Sequence, residues 1–123
     1  MSIQITQEIV IGSGGGGGTG AFPVVNFTGT AKNLVVADNL TYLSMDNAVV
    51  QTVTIPENAA QEFPIGAEII FLRKNATGGV AFAVSGDAVL LSRDGLVTIN
   101  SQYSEAALKK IAIDLWVLSG DLA

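Results

Sequence analysis

The sequence predicts an all-β protein, a compact antiparallel β-sandwich or barrel with an extended N-terminal arm. Three observations predict it. Runs rich in Val, Ile, Thr and Phe alternate apolar and polar positions with period two. Turns marked by Gly, Asn, Asp or Pro separate those runs at intervals of about eight to twelve residues, the spacing of small sandwiches and barrels. No long stretch carries the 3.6-residue periodicity of an amphipathic helix.

The elements follow in order. In "IQITQEIVI", Ile3, Ile5, Ile9 and Ile11 share one parity, interrupted by Gln7, which describes a strand with one buried face. "GSGGGGGTG", residues 12–20, holds five consecutive glycines and reads as a linker. The organisation is therefore an arm (1–11), a glycine-rich linker (12–20) and a β body (21–123). Such a nine-residue linker spans at most about 30 Å extended, and about 15–18 Å root-mean-square as a flexible coil. A lone strand is not stable in water and must add to a sheet edge. That edge belongs to its own chain, to a neighbouring subunit or to a capsid surface.

Short strands are expected at "PVVNFTG", "NLVVA" and "LTYLSM". In "AVVQTVTIP", Val49, Gln51, Val53 and Ile55 alternate with Val50, Thr52 and Thr54 until Pro56 ends the run. "ENAAQEFPIG" is punctuated by Pro and Gly as a loop. "AEIIFLRK" and "VAFAVSG" flank "NATGG" and predict a hairpin. "AVLLS", the tight turn "RDG" and "LVTINSQYS" continue the rhythm. In "EAALKKIAIDLW", Glu105 to Leu108 favour helix by propensity, but Lys109, Ile111 and Ile113 alternate with Lys110 and Ala112, and the stretch is assigned as strand. "WVLSGDLA" closes the chain. "SGD" occurs at Ser85–Asp87 and again at Ser119–Asp121, each read as a turn with a hydrogen-bonding Asp. The sequons at Asn26, Asn39 and Asn75 are chance matches to a short pattern.

Composition narrows the chemistry. The 123 residues include no Cys and no His, which removes disulfides, thiolates, histidine metal ligands and histidine acid–base catalysis. The net charge is −5, and the six cations Lys32, Arg73, Lys74, Arg93, Lys109 and Lys110 form no basic stripe, so no nucleic acid is expected. Gly12, Gly14 and Gly17 fit G-x-G-x-x-G, but a phosphate cradle opens a helix and carries a lysine. Here "AFPVVNF" follows, with Pro23 inside it, and the first lysine is Lys32. Carboxylates able to pair for glycoside hydrolysis (Asp38, Asp46, Glu57, Glu62, Glu68, Asp87, Asp94) sit mostly in predicted turns. No D-x-[DN]-x-[DN]-G calcium loop occurs. Ser and Thr lack an activating His, and Lys109 or Lys110 acts as a base only if buried. No enzyme activity, cofactor or metal is expected.

Apolar residues make up 49% of the chain and charged ones 14%, so part of the apolar excess is expected to meet partner subunits. "MSIQITQE" lacks the features of a signal peptide, and no run approaches the ~20 apolar residues of a membrane span. A soluble protein without membrane contact is expected. The aromatic residues Phe22, Phe27, Phe63, Phe71, Phe82, Tyr42, Tyr103 and Trp116 are few for a sugar-binding platform. Trp116 belongs to the core or an interface, and joins Ile3, Ile5, Ile9 and Ile11 as an interface candidate.

From "TVTIPENAAQEFPIGAEI" through "GGVAFAVSGDAVL" to "SQYSEAALKKIAIDLWVLSGDL", the chain resembles a domain that recurs in structural proteins of tailed bacteriophages. The matching residues are Val53 to Pro56, Phe63 to Gly66, Ile69, Gly79, Val80, Trp116, Leu118 and Gly120 to Leu122. The resemblance implies a β-rich, oligomeric virion part that is not an enzyme, made in the bacterial host cytoplasm. The glycine tract lies outside that pattern. Chain length favours a capsid decoration (cement) protein on the capsid exterior, a homotrimer bound to the major capsid protein. The rival is a tail-fibre or tail-tip module recognising host carbohydrate, and a small hydrolase is the third reading.

Overall fold

The computed structural model describes residues 20–123. The strand predicted at 3–11, with Ile3, Ile5, Ile9 and Ile11, and all of the linker but Gly20 lie outside the described residues. The described chain forms β1 (Val24–Phe27), β2 (Ala31–Asn33), β3 (Tyr42–Met45), β4 (Gln51–Ile55), β5 (Glu68–Arg73), β6 (Val80–Val84), β7 (Val89–Ser92), β8 (Glu105–Ala112) and β9 (Leu115–Gly120). Two sheets result: six strands in the order β1-β3-β5-β8-β9-β7, and three in the order β2-β4-β6.

The all-β expectation agrees with this, but the antiparallel one does not. The ladders β1·β3, β3·β5, β2·β4, β4·β6 and β7·β9 are parallel, and only β5·β8 and β8·β9 are antiparallel. The physical reason lies in the turns. Each of the first six connections, from β1 to β7, carries the chain across to the other sheet, so each strand from β3 to β7 returns in the direction of its predecessor two elements earlier. "NATGG" illustrates this. Asn75 Oδ1 accepts the N–H groups of Thr77 at 2.9 Å and Gly78 at 3.2 Å, giving a tight Asx-type corner. The corner delivers the chain from β5 to β6 in the other sheet, where a hairpin was predicted. The hairpin that does form joins β8 to β9, with Asp114 at φ 56° and a register shift between Lys110 and Ala112.

Two other predicted strands shrink. "NLVVA" becomes the end of β2 and a 3₁₀ turn at Val36–Asp38, because side chains take the backbone donors. Asp38 accepts the Val35 N–H at 2.8 Å and Gln61 Oε1 accepts the Val36 N–H at 2.9 Å. "LVTINSQYS" keeps only isolated antiparallel bridges, Ala81 to Thr98 and Ile99 to Leu122.

The core lies between the sheets. Leu43, Met45, Ile69, Phe71, Leu108 and Leu118 of the larger sheet meet Val53, Ile55, Val80 and Phe82 of the smaller one. Phe71 and Phe82 pack edge to face across the gap, with centroids 4.9 Å apart. Gln51, fully buried on β4, ties the first turn of chain to the second by donating from Nε2 to the carbonyls of Phe27 at 3.0 Å and Gly29 at 2.8 Å.

Candidate functional site

Two buried groups of opposite character help hold down the loop 57–66, whose Asn58 N–H also donates to Asp114 Oδ1 at 2.7 Å. Phe63 packs edge to face on Trp116, centroids 5.2 Å apart. Lys110, 1% exposed, donates from Nζ to Asn58 Oδ1 at 2.5 Å and to the Phe63 carbonyl at 2.8 Å. Trp116, set out above as an interface candidate, is itself 1% exposed. It is a core residue of the described chain and offers no surface to a partner. Lys110 is buried, but both of its acceptors face it from the loop, and it works as a clamp. Sequence reasoning did not single out this role. The signal was its shared parity with Leu108 and Ala106, both buried.

The carboxylates are engaged separately. Asp38 pairs with Lys32 at 3.1 Å, Asp94 with Arg93 at 3.0 Å, and Glu68 with Lys109 at 4.0 Å. Asp46 accepts from Asn75 Nδ2 at 3.2 Å, and Glu57 accepts the Asp87 N–H at 3.1 Å. Among the described residues, no group of three or more His, Cys, Asp or Glu is placed to hold a metal ion. Asn39 is structural, since its Oδ1 accepts the Glu68 N–H at 3.0 Å. Asp121 is held below the usual carboxylate range first by the Ser104 hydroxyl at 2.6 Å, then by Asn100 Nδ2 at 3.2 Å. It thereby fastens the 100–104 loop beside the chain end. Arg73 was also missed: its guanidinium donates to the carbonyls of Asn100 at 2.9 Å and Ala76 at 3.1 Å, closing the same end of the sheet.

What the described surface offers is a face. The registers place Val24, Tyr42, Ile70, Ala107 and Ser119 in one row on the side of the six-stranded sheet away from the core. Leu72 and Glu105 form the row beyond it, and Glu68, Lys109, Val117 and Leu91 the row on the other side. Val89 and Leu115 pair in the row after that. Val24 is 72% exposed, Val89 48% and Leu91 46%. The six-stranded sheet leaves a broadly apolar side uncovered among the described residues, on which Glu68 pairs with Lys109 and Tyr42 donates to Glu105.

Burial, then the hydrogen bond to Glu105 and its charge, raise the Tyr42 phenol from 10.0 to about 12. The unfolded phenol ionises near 10, so the stability this group contributes is whole below that pH and is lost as pH rises from there through about 12. In a Tyr103→Phe background, phenolate absorbance should show Tyr42 still protonated at pH 11. Glu105→Gln should bring its midpoint down part of the way only, because burial is the larger cause. A Tyr42 midpoint at 10 in the parent chain would contradict the geometry.

Comparison with protein-family models and with curated proteins finds no match.

Proposed function

We propose that this chain is a structural protein of a bacteriophage virion, a capsid decoration protein that works through contacts and performs no reaction. The observation that carries the reading is the uncovered apolar face of the six-stranded sheet, a surface suited to bridging neighbours. Many copies, each contributing a modest contact, would brace a shell by multivalency. The body is read as an open sandwich. Phe71 meets Phe82 between the sheets, and among the described residues no ladder joins β1 or β7 to the smaller sheet. The residues of the phage-domain resemblance occupy structural posts in keeping with this. Phe63 and Trp116 hold the loop, and Gly120, at φ 127°, passes so close to Glu105 that a Cβ would sit 2.4 Å from its carbonyl oxygen.

Homo-oligomerisation, with a trimer as the expected stoichiometry, and binding to the major capsid protein follow from the reading. Co-sedimentation with shells stripped of this chain tests it. Val89→Lys and Leu91→Lys together should leave the body folded and weaken attachment about tenfold or more. Unchanged attachment would remove the face from the account. A second reading, a tail component recognising carbohydrate, is favoured by Tyr103. That ring is 67% exposed at φ 68°, its N–H anchored to the Arg73 carbonyl at 2.6 Å among Asn100, Ser101 and Ser104. Copy number separates the two, since a decoration protein covers the shell and a tail component is present in few copies. Saturable binding of host lipopolysaccharide, abolished by Tyr103→Ala, would favour the second.

A further inference from the structure

Among the described residues, the core side of the six-stranded sheet is open at the free edge of β1. Val25 lies on the core side of the sheet, in register with Leu43, Phe71 and Ala106, which are 1%, 0% and 2% exposed. Val25 itself is 43% exposed, and Phe27, on the same side of β1, is only half-buried. Beyond β1 the sheet has no further strand among the described residues. The carbonyls of Pro23 and Phe27 face β3, where they accept the N–H groups of Tyr42 at 2.9 Å and Asp46 at 3.0 Å. Successive residues of a strand turn their backbone groups to opposite sides. Val24 and Asn26 therefore present theirs to the open edge.

We propose that residues 3–11 of the same chain are the strand that fills this edge, with Ile3, Ile5, Ile9 and Ile11 turned to the core side over Val25 and Phe27. Three features of the chain fit that occupant. The first is parity: an added strand needs apolar residues at alternate positions on one face, and these four isoleucines supply them. The second is position, since the described chain begins at Gly20, four residues before β1 starts at Val24. The third is reach. A glycine-rich linker of about 15–18 Å root-mean-square length keeps the segment at an effective concentration in the millimolar range beside its own edge. A second copy in dilute solution competes poorly with that. The inference is independent of where the protein acts.

Residue-resolved amide hydrogen exchange on the full chain tests it. The Val24 and Asn26 amides should exchange at least about tenfold more slowly than open amides do, and equally slowly when the protein is diluted tenfold. Isotope-filtered spectra of mixed labelled and unlabelled chains should show contacts from the isoleucine methyls to Val25 and Phe27 only within one molecule. Ile5→Asp with Ile9→Asp should release both amides, whereas Thr6→Asp, on the opposite parity, should not. Fast exchange at Val24 and Asn26 in the unaltered chain would overturn the proposal. So would protection that grows with concentration, which would assign the edge to a second copy. Equal effects of Ile5→Asp and Thr6→Asp would overturn the parity. If the double variant fails to fold, the dilution series and filtered spectra of the unaltered chain decide.

Discussion

Trp116→Ala should cost about 3–5 kcal/mol, the range for removing a large buried aromatic, from a total that for a domain of this size is about 5–15 kcal/mol. Trp116 is 1% exposed, so almost all of its surface is withdrawn from water. Phe63 would lose its edge-to-face partner, worth about 0.5–1.5 kcal/mol beyond area. The loop that Phe63 anchors would keep its polar ties, from Lys110 to the Phe63 carbonyl and Asn58 and from the Asn58 N–H to Asp114, but lose its aromatic one. In urea the midpoint should fall by about 2 M with little change in slope. Tryptophan fluorescence offers a second reading on the parent chain: emission should be that of a buried indole and should not shift on oligomerisation. An interface tryptophan would behave in the opposite way, leaving stability almost untouched on substitution and shifting its emission on assembly.

Gly78→Ala should be about as damaging as a severe overpacking, about 3 kcal/mol, while Gly79→Ala next to it should be nearly silent. A Cβ at residue 78 would lie 1.8 Å from the Asn47 carbonyl oxygen and 2.6 Å from that of Val49. These are backbone atoms, so no rotamer change relieves the contact. A Cβ at residue 79 would meet nothing within 4 Å. Paired urea titrations of the two variants check this. Similar losses at both positions would mean that backbone freedom, and not the close approach of two corners, sets the requirement for glycine.

That corner also marks where the sequence stops being legible. Alternation located β1, β3, β4, β5, β6 and β7 because it reports which side of a strand is buried, but the single strand it assigned over "EAALKKIAIDLW" runs through the turn at Ile113 and Asp114 that separates β8 from β9. It carries no information on which strand lies alongside. Asn75 and Gly78 make the same tight turn whether the chain doubles back or crosses to a second sheet, so "NATGG" was read as a hairpin. Side-chain capture of backbone donors was equally hidden: nothing near "NLVVA" announces Gln61, whose amide oxygen takes the Val36 N–H. Burial by hydrophobicity misleads in β8 and the turn after it, where Ile111 and Ile113 are 46% and 67% exposed while Lys110 is buried. The lysine faces inward because two loop oxygens await it, and a loop's path is not written in periodicity. The uncovered apolar face was foreshadowed only as an excess of apolar residues, and its assembly from outward rows of the larger sheet required the registers.

The winding of the chain between two sheets has a consequence in time. β7 has a single ladder partner, β9, and Val89 must wait for Leu115 before it can pair. β5 likewise waits for β8, with Ile69 opposite Leu108. Most contacts close a long loop, which places this body among slow folders, on the order of milliseconds to seconds. During synthesis the early strands leave the ribosome before the strands that complete their sheet exist. Until residues 105–120 emerge, the nascent chain carries an unsealed sheet edge, the state in which such a sequence is most prone to aggregate.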